Sequence, residues 1–299
     1  MKISFVIPTY NYKEFLRNCL ISVFKQDYND YEVIVVDDGS TDGTSELMSR
    51  IQAEYPTKAI KYLYQENTGP SAARNNGVAY AKGEYVWCLD ADDTLNDGAV
   101  DKMVRAAEEY PEAWLLFSGY QSIDEKGKKV MREPSRMNKD QTKNFRRYIL
   151  KKISGLCVGT AIVKRQVFNS ISFPVDIAIN EDIVFYSKVL AHYQAASVPG
   201  IVLTVNRHKG SQRSNVAKMC EAGLKPVENI FDKDLLTAKQ LNYRKLYLAR
   251  WYLTLFRAHY RRKEFEKARW YYKKAISERP AAVFSMAYLS KYLRSYVKS

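Results

Sequence analysis

The chain has 299 residues, 46 % of them hydrophobic and 13 % aromatic, which is ample for a packed core and excludes a disordered chain. Its formal net charge is +14, but the stretch from Lys239 to Ser299 holds 16 Lys and Arg against three Glu, so the first 238 residues are close to neutral, at +1. The four cysteines form no C-x-x-C pair, and His192, His208 and His259 form no H-E-x-x-H, which argues against a disulfide scaffold or a zinc enzyme.

The chain opens on a β-rich run, ISFVIP. EFLRNCLISVFKQ then places Phe15, Leu16, Cys19, Leu20, Val23 and Phe24 at helical spacing. YEVIVVDD is nearly continuous in Val and Ile, as a strand buried on both faces should be. A helix (TSELMSRIQAEY), a strand (IKYLYQ), a helix (PSAARNNGVAYA), a strand (YVWCLD), a helix (DGAVDKMVRAAEEY) and a strand (AWLLFSGYQSI) follow. This alternation predicts an α/β fold, a mostly parallel central sheet with helices on both faces. Residues 124–150 read as a polar surface excursion, and GLCVGTAIVKRQVF as a buried strand or helix. INEDIVFYSKVLAHY starts polar and becomes a helix, and IVLTVNRHKGSQRSN is a strand running into a basic loop. From about residue 215 three helical segments carry the basic charge, and EFEKARWYYKKAISERP is similar to the second helix of a tetratricopeptide repeat. The expected division is an α/β domain over 1–215, parted at about residue 120 into 1–120 and 121–215, and a basic, aromatic-rich helical extension over 216–299.

In parallel sheets ligands bind at the carboxyl ends of the strands. Three polar clusters fall there: PTYN after the first strand, DDGSTDGT after the second and DADD after the fourth. Asp38 in the second cluster can accept hydrogen bonds from a base N–H or a ribose, and an Asp-Gly turn capping a helix is the plainer reading. NTGPSAARNNG offers a helix start with Arg74, suited to phosphates. The packed carboxylates Asp90, Asp92 and Asp93 repel one another unless something positive neutralises them, and clustered oxygens suit Mg²⁺ or Mn²⁺. Glu181 and Asp182 in NEDIVF are candidate general bases, or simply acids favouring a helix N-terminus. Arg207, His208, Lys209 and Arg213 form a basic loop able to close over a diphosphate.

Taken together and in this order, VIPTYN, VVDDGSTDGT, NTGPSAARNNG, LDADD and NEDIVF resemble family 2 glycosyltransferases, inverting enzymes of the GT-A fold. The resemblance covers residues 1 to about 215. It implies that Pro8, Thr9, Asn11, Asp38, Asn67 and Arg74 line the nucleotide site. Asp90 and Asp92 would form the D-x-D motif, Asp92 on an Mn²⁺ or Mg²⁺ ion and Asp90 on the ribose or sugar. Asp182 would be the base, with Glu181 beside it, and Arg207 and His208 would face the diphosphate. The implied reaction is transfer from a UDP-sugar to an acceptor hydroxyl, the acceptor being a lipid-linked glycan of a surface polysaccharide.

A sugar nucleotidyltransferase would carry a glycine-rich basic signature at the first strand, which PTYNYKEF lacks. A nucleic-acid binder using the basic segment leaves DADD and NED unexplained, so no nucleic acid is expected. No secretory signal opens the sequence, and no run reaches the roughly 18 apolar residues of a membrane span, which predicts a cytoplasmic protein. The segment from Lys239 sets 14 aromatics among its basic residues, with Tyr243, Tyr247, Trp251 and again Tyr288, Tyr292, Tyr296 at i+4. That composition predicts docking on an anionic membrane from the inner face.

Overall fold

The first four strand signals become the parallel half of one sheet. The computed structural model describes residues 2–177, 179–208, 216–280 and 286–297. In it the order is β1 (Ile3–Thr9), α1 (Lys13–Phe24), β2 (Tyr31–Asp37), α2 (Thr44–Glu54), β3 (Ile60–Tyr64), α3 (Pro70–Tyr80) and β4 (Tyr85–Cys88). β5 (Asp93–Leu95), α4 (Ala99–Glu109), β6 (Leu115–Asp124), β7 (Lys129–Arg132) and α5 (Gln141–Ile149) follow. β8 (Ala161–Lys164), α6 (Glu181–His192) and β9 (Ala195–Arg207) complete the sheet-bearing part.

The sheet runs β3-β2-β1-β4-β8-β6-β9-β5, with β7 paired to β6. β3, β2, β1 and β4 are parallel. Beyond β4 the pairing is mixed: β8 lies antiparallel to both β4 and β6, β9 is parallel to β6, and β5 is antiparallel to β9. GLCVGTAIVKRQVF thus yields a four-residue strand between two 3₁₀ turns. β1 and β2 are buried almost throughout, which explains their unbroken apolar sequences.

The chain winds from β1 outward to β2 and β3, then returns to place β4 on the other side of β1. β1 stays in register with β2 as far as Thr9↔Asp37, but with β4 only as far as Val6↔Cys88. The last three residues of β1 therefore run free of β4, and Pro8, which has no N–H to donate, falls there without breaking the sheet. A reversal of strand order with diverging carboxyl ends is where such sheets take ligands.

Two compact units divide the chain. The first comprises 1–175 and 185–209, and the second comprises 176–184 and 210–299. In the second, α7 (Val216–Ala222), α8 (Lys225–Ile230), α9 (Ala238–Leu241), α10 (Arg244–Arg261), α11 (Phe265–Glu278) and α12 (Met286–Val297) follow one another. Phe256, Ala268 and Tyr272 form a small core there, flanked by Tyr288 and Tyr292. Tyr247 and Trp251 are buried and stack on one another, and the Trp251 indole donates to the Gly223 carbonyl at 2.6 Å. Tyr292 stacks on Tyr272 with ring centroids 4.4 Å apart. Of the i+4 aromatics, Tyr247, Trp251, Tyr288 and Tyr292 thus pack the helices together, while Tyr296 is exposed.

Candidate active site

The carboxyl ends of β1 and β2 are tied by their own loops. Asn11 takes a positive φ of 54°, a conformation Asn tolerates better than most residues. Its N–H donates to Ser40 Oγ at 2.9 Å, and its Oδ1 accepts from the Thr41 N–H at 2.8 Å. Asp37 accepts from the Ser40 N–H at 2.8 Å and the Tyr62 hydroxyl at 2.6 Å. Asp38 is 3 % exposed. Its Oδ1 accepts from Gln65 Nε2 at 2.8 Å and the Thr68 N–H at 2.9 Å, and its Oδ2 from the Gly69 N–H at 2.8 Å. Gly39 sits at φ +83°, where a Cβ would stand 3.0 Å from the Asn67 nitrogen; the loop after β3 passes too close for a side chain. Asn67 itself is exposed. Pro8 and Thr9 are buried, and the Thr9 Oγ1 has no hydrogen-bond partner among the described residues.

The carboxyl end of β4 is built differently. Asp90, Asp92 and Asp93 bring three carboxylate oxygens within 4.8 Å of one another. Arg74 Nη2 meets Asp90 Oδ1 at 2.7 Å, with the buried guanidinium lying 5.2 Å from the Phe173 ring. α3 can bring Arg74 so close because Gly77 replaces a side chain whose Cβ would stand 2.4 Å from Val6 Cγ1. His208 Nε2 lies 3.1 Å from Asp92 Oδ2. Its ring stacks on Phe15 at 4.7 Å and meets Tyr12 edge-on at 5.5 Å. Burial, and next the charge of Asp90, push the Asp92 carboxyl above its ordinary value, while the His208 hydrogen bond pulls the other way. The Tyr12 phenol is likewise raised by burial and then by Asp92 and Asp90. Negative charge thus exceeds what Arg74 and His208 supply, and the donors are hard oxygens. This donor set fits a divalent cation such as Mn²⁺ or Mg²⁺.

His208 was expected over a diphosphate; here it meets the acid cluster. Asn206 Nδ2 donates to the Asp92 carbonyl at 2.8 Å, so Asn206 and His208, two positions apart, reach the same residue. Strand alternation turns the exposed Arg207 to the other side. Lys209 and Arg213 of the basic loop lie outside the described residues.

Glu181 and Asp182 occupy the first turn of α6 and belong to the second unit. Asp182 Oδ1 accepts from the Ile183 N–H at 2.8 Å, and a helix N-terminus favours the ionised form. Asn180 before it takes φ 64°. Within the same unit, burial and then the Asp182 charge raise the Tyr247 phenol.

The sequence placed Asp93 in the acid cluster, but the family resemblance gave it no role, and Tyr12, Phe15 and Gln65 had none at the site. Asp93 stood in the DADD string itself. The ring cage around His208 carries no local signal, because it joins residues nearly 200 positions apart.

The sheet and the carboxylate cluster at its strand-order reversal define an α/β protein with an acidic site. The glycosyl transferase family 2 model matches residues 4–172, and the chain belongs to this family. Glycosyltransferase GlyG of Streptococcus pneumoniae is 35 % identical over 124 residues, covering 41 % of this chain and 40 % of that protein. The GalNAc(5)-diNAcBac-PP-undecaprenol beta-1,3-glucosyltransferase of Campylobacter jejuni is 37 % identical over 110 residues, covering 36 % and 35 %. The chain thus matches well under half the length of these curated relatives. Staphylococcus aureus TarS (1–349) in complex with UDP superposes with a TM-score of 0.65 at 21 % identity, over 99 % of this chain and 89 % of that one. The mannosyltransferase PcManGT of Pyrobaculum calidifontis, in complex with GDP-Man and Mn²⁺, gives 0.58 at 20 % identity, over 99 % and 79 %. The shared fold is GT-A.

Proposed function

We propose that this chain transfers a sugar from a UDP-sugar to an acceptor hydroxyl with inversion, in assembly of a surface polysaccharide on a lipid carrier. The observation that carries the reading is the carboxylate cluster of Asp90, Asp92 and Asp93 at the strand-order reversal of the sheet. The complexes of TarS with UDP and UDP-GlcNAc support the donor class, and the undecaprenol-linked substrate named for the Campylobacter relative supports the acceptor class.

In this reading Pro8, Thr9, Asn11, Asp38, Asn67 and Arg74 border the nucleoside and phosphates. The buried Thr9 hydroxyl is a ready donor or acceptor for them. Asp92, with Asp90 and Asp93, would hold Mn²⁺ or Mg²⁺, whose charge offsets that of the departing diphosphate. Arg74 fixes the Asp90 carboxylate, and His208 fixes that of Asp92. Arg207 and His208 lie at the root of the basic loop. Asp182 takes the proton of the attacking hydroxyl, with Glu181 beside it; it stands in the first turn of α6, where a helix N-terminus favours a carboxylate. The enzyme works at the inner membrane face, and among the described residues no helix is long and apolar enough to cross a membrane.

The test is a donor panel with release of UDP or GDP as readout, run with Mn²⁺, Mg²⁺ and chelator. Turnover of one or more UDP-sugars, lost in chelator, supports the proposal. Turnover of GDP-sugars alone overturns the donor, and full turnover in chelator overturns the metal. Asp182→Asn separates the roles further: transfer falls about 10²- to 10⁴-fold, the range for a general base, while donor affinity stays within about twofold. Near-normal turnover would remove Asp182 from the role.

A further inference from the structure

The face of α11 turned away from the second unit's small core joins an aromatic ring to a cluster of cations. Trp270 is 51 % exposed, although an indole is normally covered. Lys267, Trp270 and Lys274 follow at i, i+3 and i+7, with Lys273 beside them, and all four are exposed. The Lys274 ammonium lies 5.2 Å from the Trp270 ring centroid. Glu266 is the one acid exposed on that face. The opposite face, Ala268, Tyr272 and Ala275, is buried.

We propose that this face of α11 is the surface by which the chain rests on an anionic lipid bilayer. The proposal sharpens, and rests on, the peripheral location proposed above. A headgroup layer rich in lipid phosphate satisfies both parts of the face at once: the indole enters the interfacial zone and the ammonium groups meet the phosphates. Of the aromatics that composition pointed to, Tyr247 and Trp251 are buried, and the exposed Tyr296 already carries the Arg269 guanidinium over its ring at 4.6 Å. α10 offers a competing row of exposed cations, Arg250, Arg257 and Arg261. Tyr252 and His259, however, meet α11 through Tyr271. They follow Arg250 and Arg257 by two positions, about 200° around the helix. The arginine row therefore faces away from α11, and none of the exposed large apolar side chains lies in it.

That opposition supplies the experiment. The full chain is sedimented with vesicles of phosphatidylcholine, with and without phosphatidylglycerol, at low and high salt. Binding should require phosphatidylglycerol and fall with salt. The triple change Lys267→Glu, Lys273→Glu, Lys274→Glu should weaken it at least about tenfold. Arg250→Glu, Arg257→Glu, Arg261→Glu makes the same change in net charge and should leave binding within about threefold. Equal losses in the two variants would show that net charge acts without this face and would overturn the proposal. So would an intact chain that stays in the supernatant at low salt. A second readout needs no charge reversal: tryptophan emission should shift to the blue on adding anionic vesicles, and Trp270→Phe should abolish the shift. A shift retained in that variant would count against the face. Release of UDP in solution is measured alongside. Vesicle binding without turnover of any donor would fail the enzymatic reading and leave the docking surface standing.

Discussion

The two acidic loops of the parallel half, DDGSTD after β2 and DADD after β4, look alike in sequence and are opposites in use. Asp37 and Asp38 spend their oxygens on backbone N–H groups, the Tyr62 hydroxyl and the Gln65 amide. Asp90, Asp92 and Asp93 confront one another, with one guanidinium and one imidazole between them. A carboxylate surrounded by donors clamps its own loops together, and Asp38 does so beside the nucleotide site proposed for it. A carboxylate facing carboxylates holds unspent negative charge, and that excess gives it chemistry. The neighbours decide, and they come from loops distant in sequence.

The comparison breaks most sharply by moving each loop's charge in turn. Asp92→Ala should cut kcat/KM by about 10³-fold or more, the scale for lost electrostatic stabilisation in an active site. Its melting temperature in chelator should stay level or rise, because the change relieves repulsion with Asp90. A comparable fall in melting temperature would place Asp92 with the clamps. Asp38→Ala should do the reverse in stability, taking the acceptor from the Thr68 and Gly69 N–H groups. A loss of about 1–3 kcal/mol is expected from denaturant titration, at about 0.5–1.5 kcal/mol for each of the two hydrogen bonds. A stable variant with selectively lost donor affinity would instead make Asp38 a binding residue alone. The smallest effect is Tyr62→Phe, which deletes one hydrogen bond to Asp37. It should cost about 1 kcal/mol and leave kcat within twofold of the parent, checked by melting curves and steady-state kinetics together.

Much of this was legible in sequence, and the boundary of legibility is physical. β1 and β2 announce themselves because strands buried on both faces must be apolar at every position, and DADD does so because clustered charge demands an explanation. The place of His208 was not readable. Its partners Asp92, Phe15 and Tyr12 are fixed by long-range pairing, and the basic residues around it suggested a diphosphate. The antiparallel insertion of β8 between β4 and β6 was hidden for the same reason, since four apolar residues carry no direction. In α10 the periodicity correctly gave a helix. It could not say that Tyr247 and Trp251 face inward, because a stripe of rings reads alike whether it meets lipid or other helices.

One irregularity in β6 has a reach beyond its own position. The pairing of β6 with β9 slips around Gly119, where an added Cβ would stand 2.4 Å from the Arg132 carbonyl oxygen and 2.7 Å from that of Gly200. From there the ladder runs unbroken to Asp124↔Arg207, one residue short of His208. Because side chains alternate along a strand, a slip of one position in β9 would bring Arg207 to Asp92 in place of the imidazole. The group beside the acid cluster is thus set by the register of β9, which β5 holds at Asp93↔Val205 and β6 holds through a ladder whose slip lies about 20 Å away, at roughly 3.3 Å per residue. A library of single-residue insertions and deletions through 117–121 should therefore separate solubility from turnover: many members would keep a folded sheet, and few would keep the enzyme.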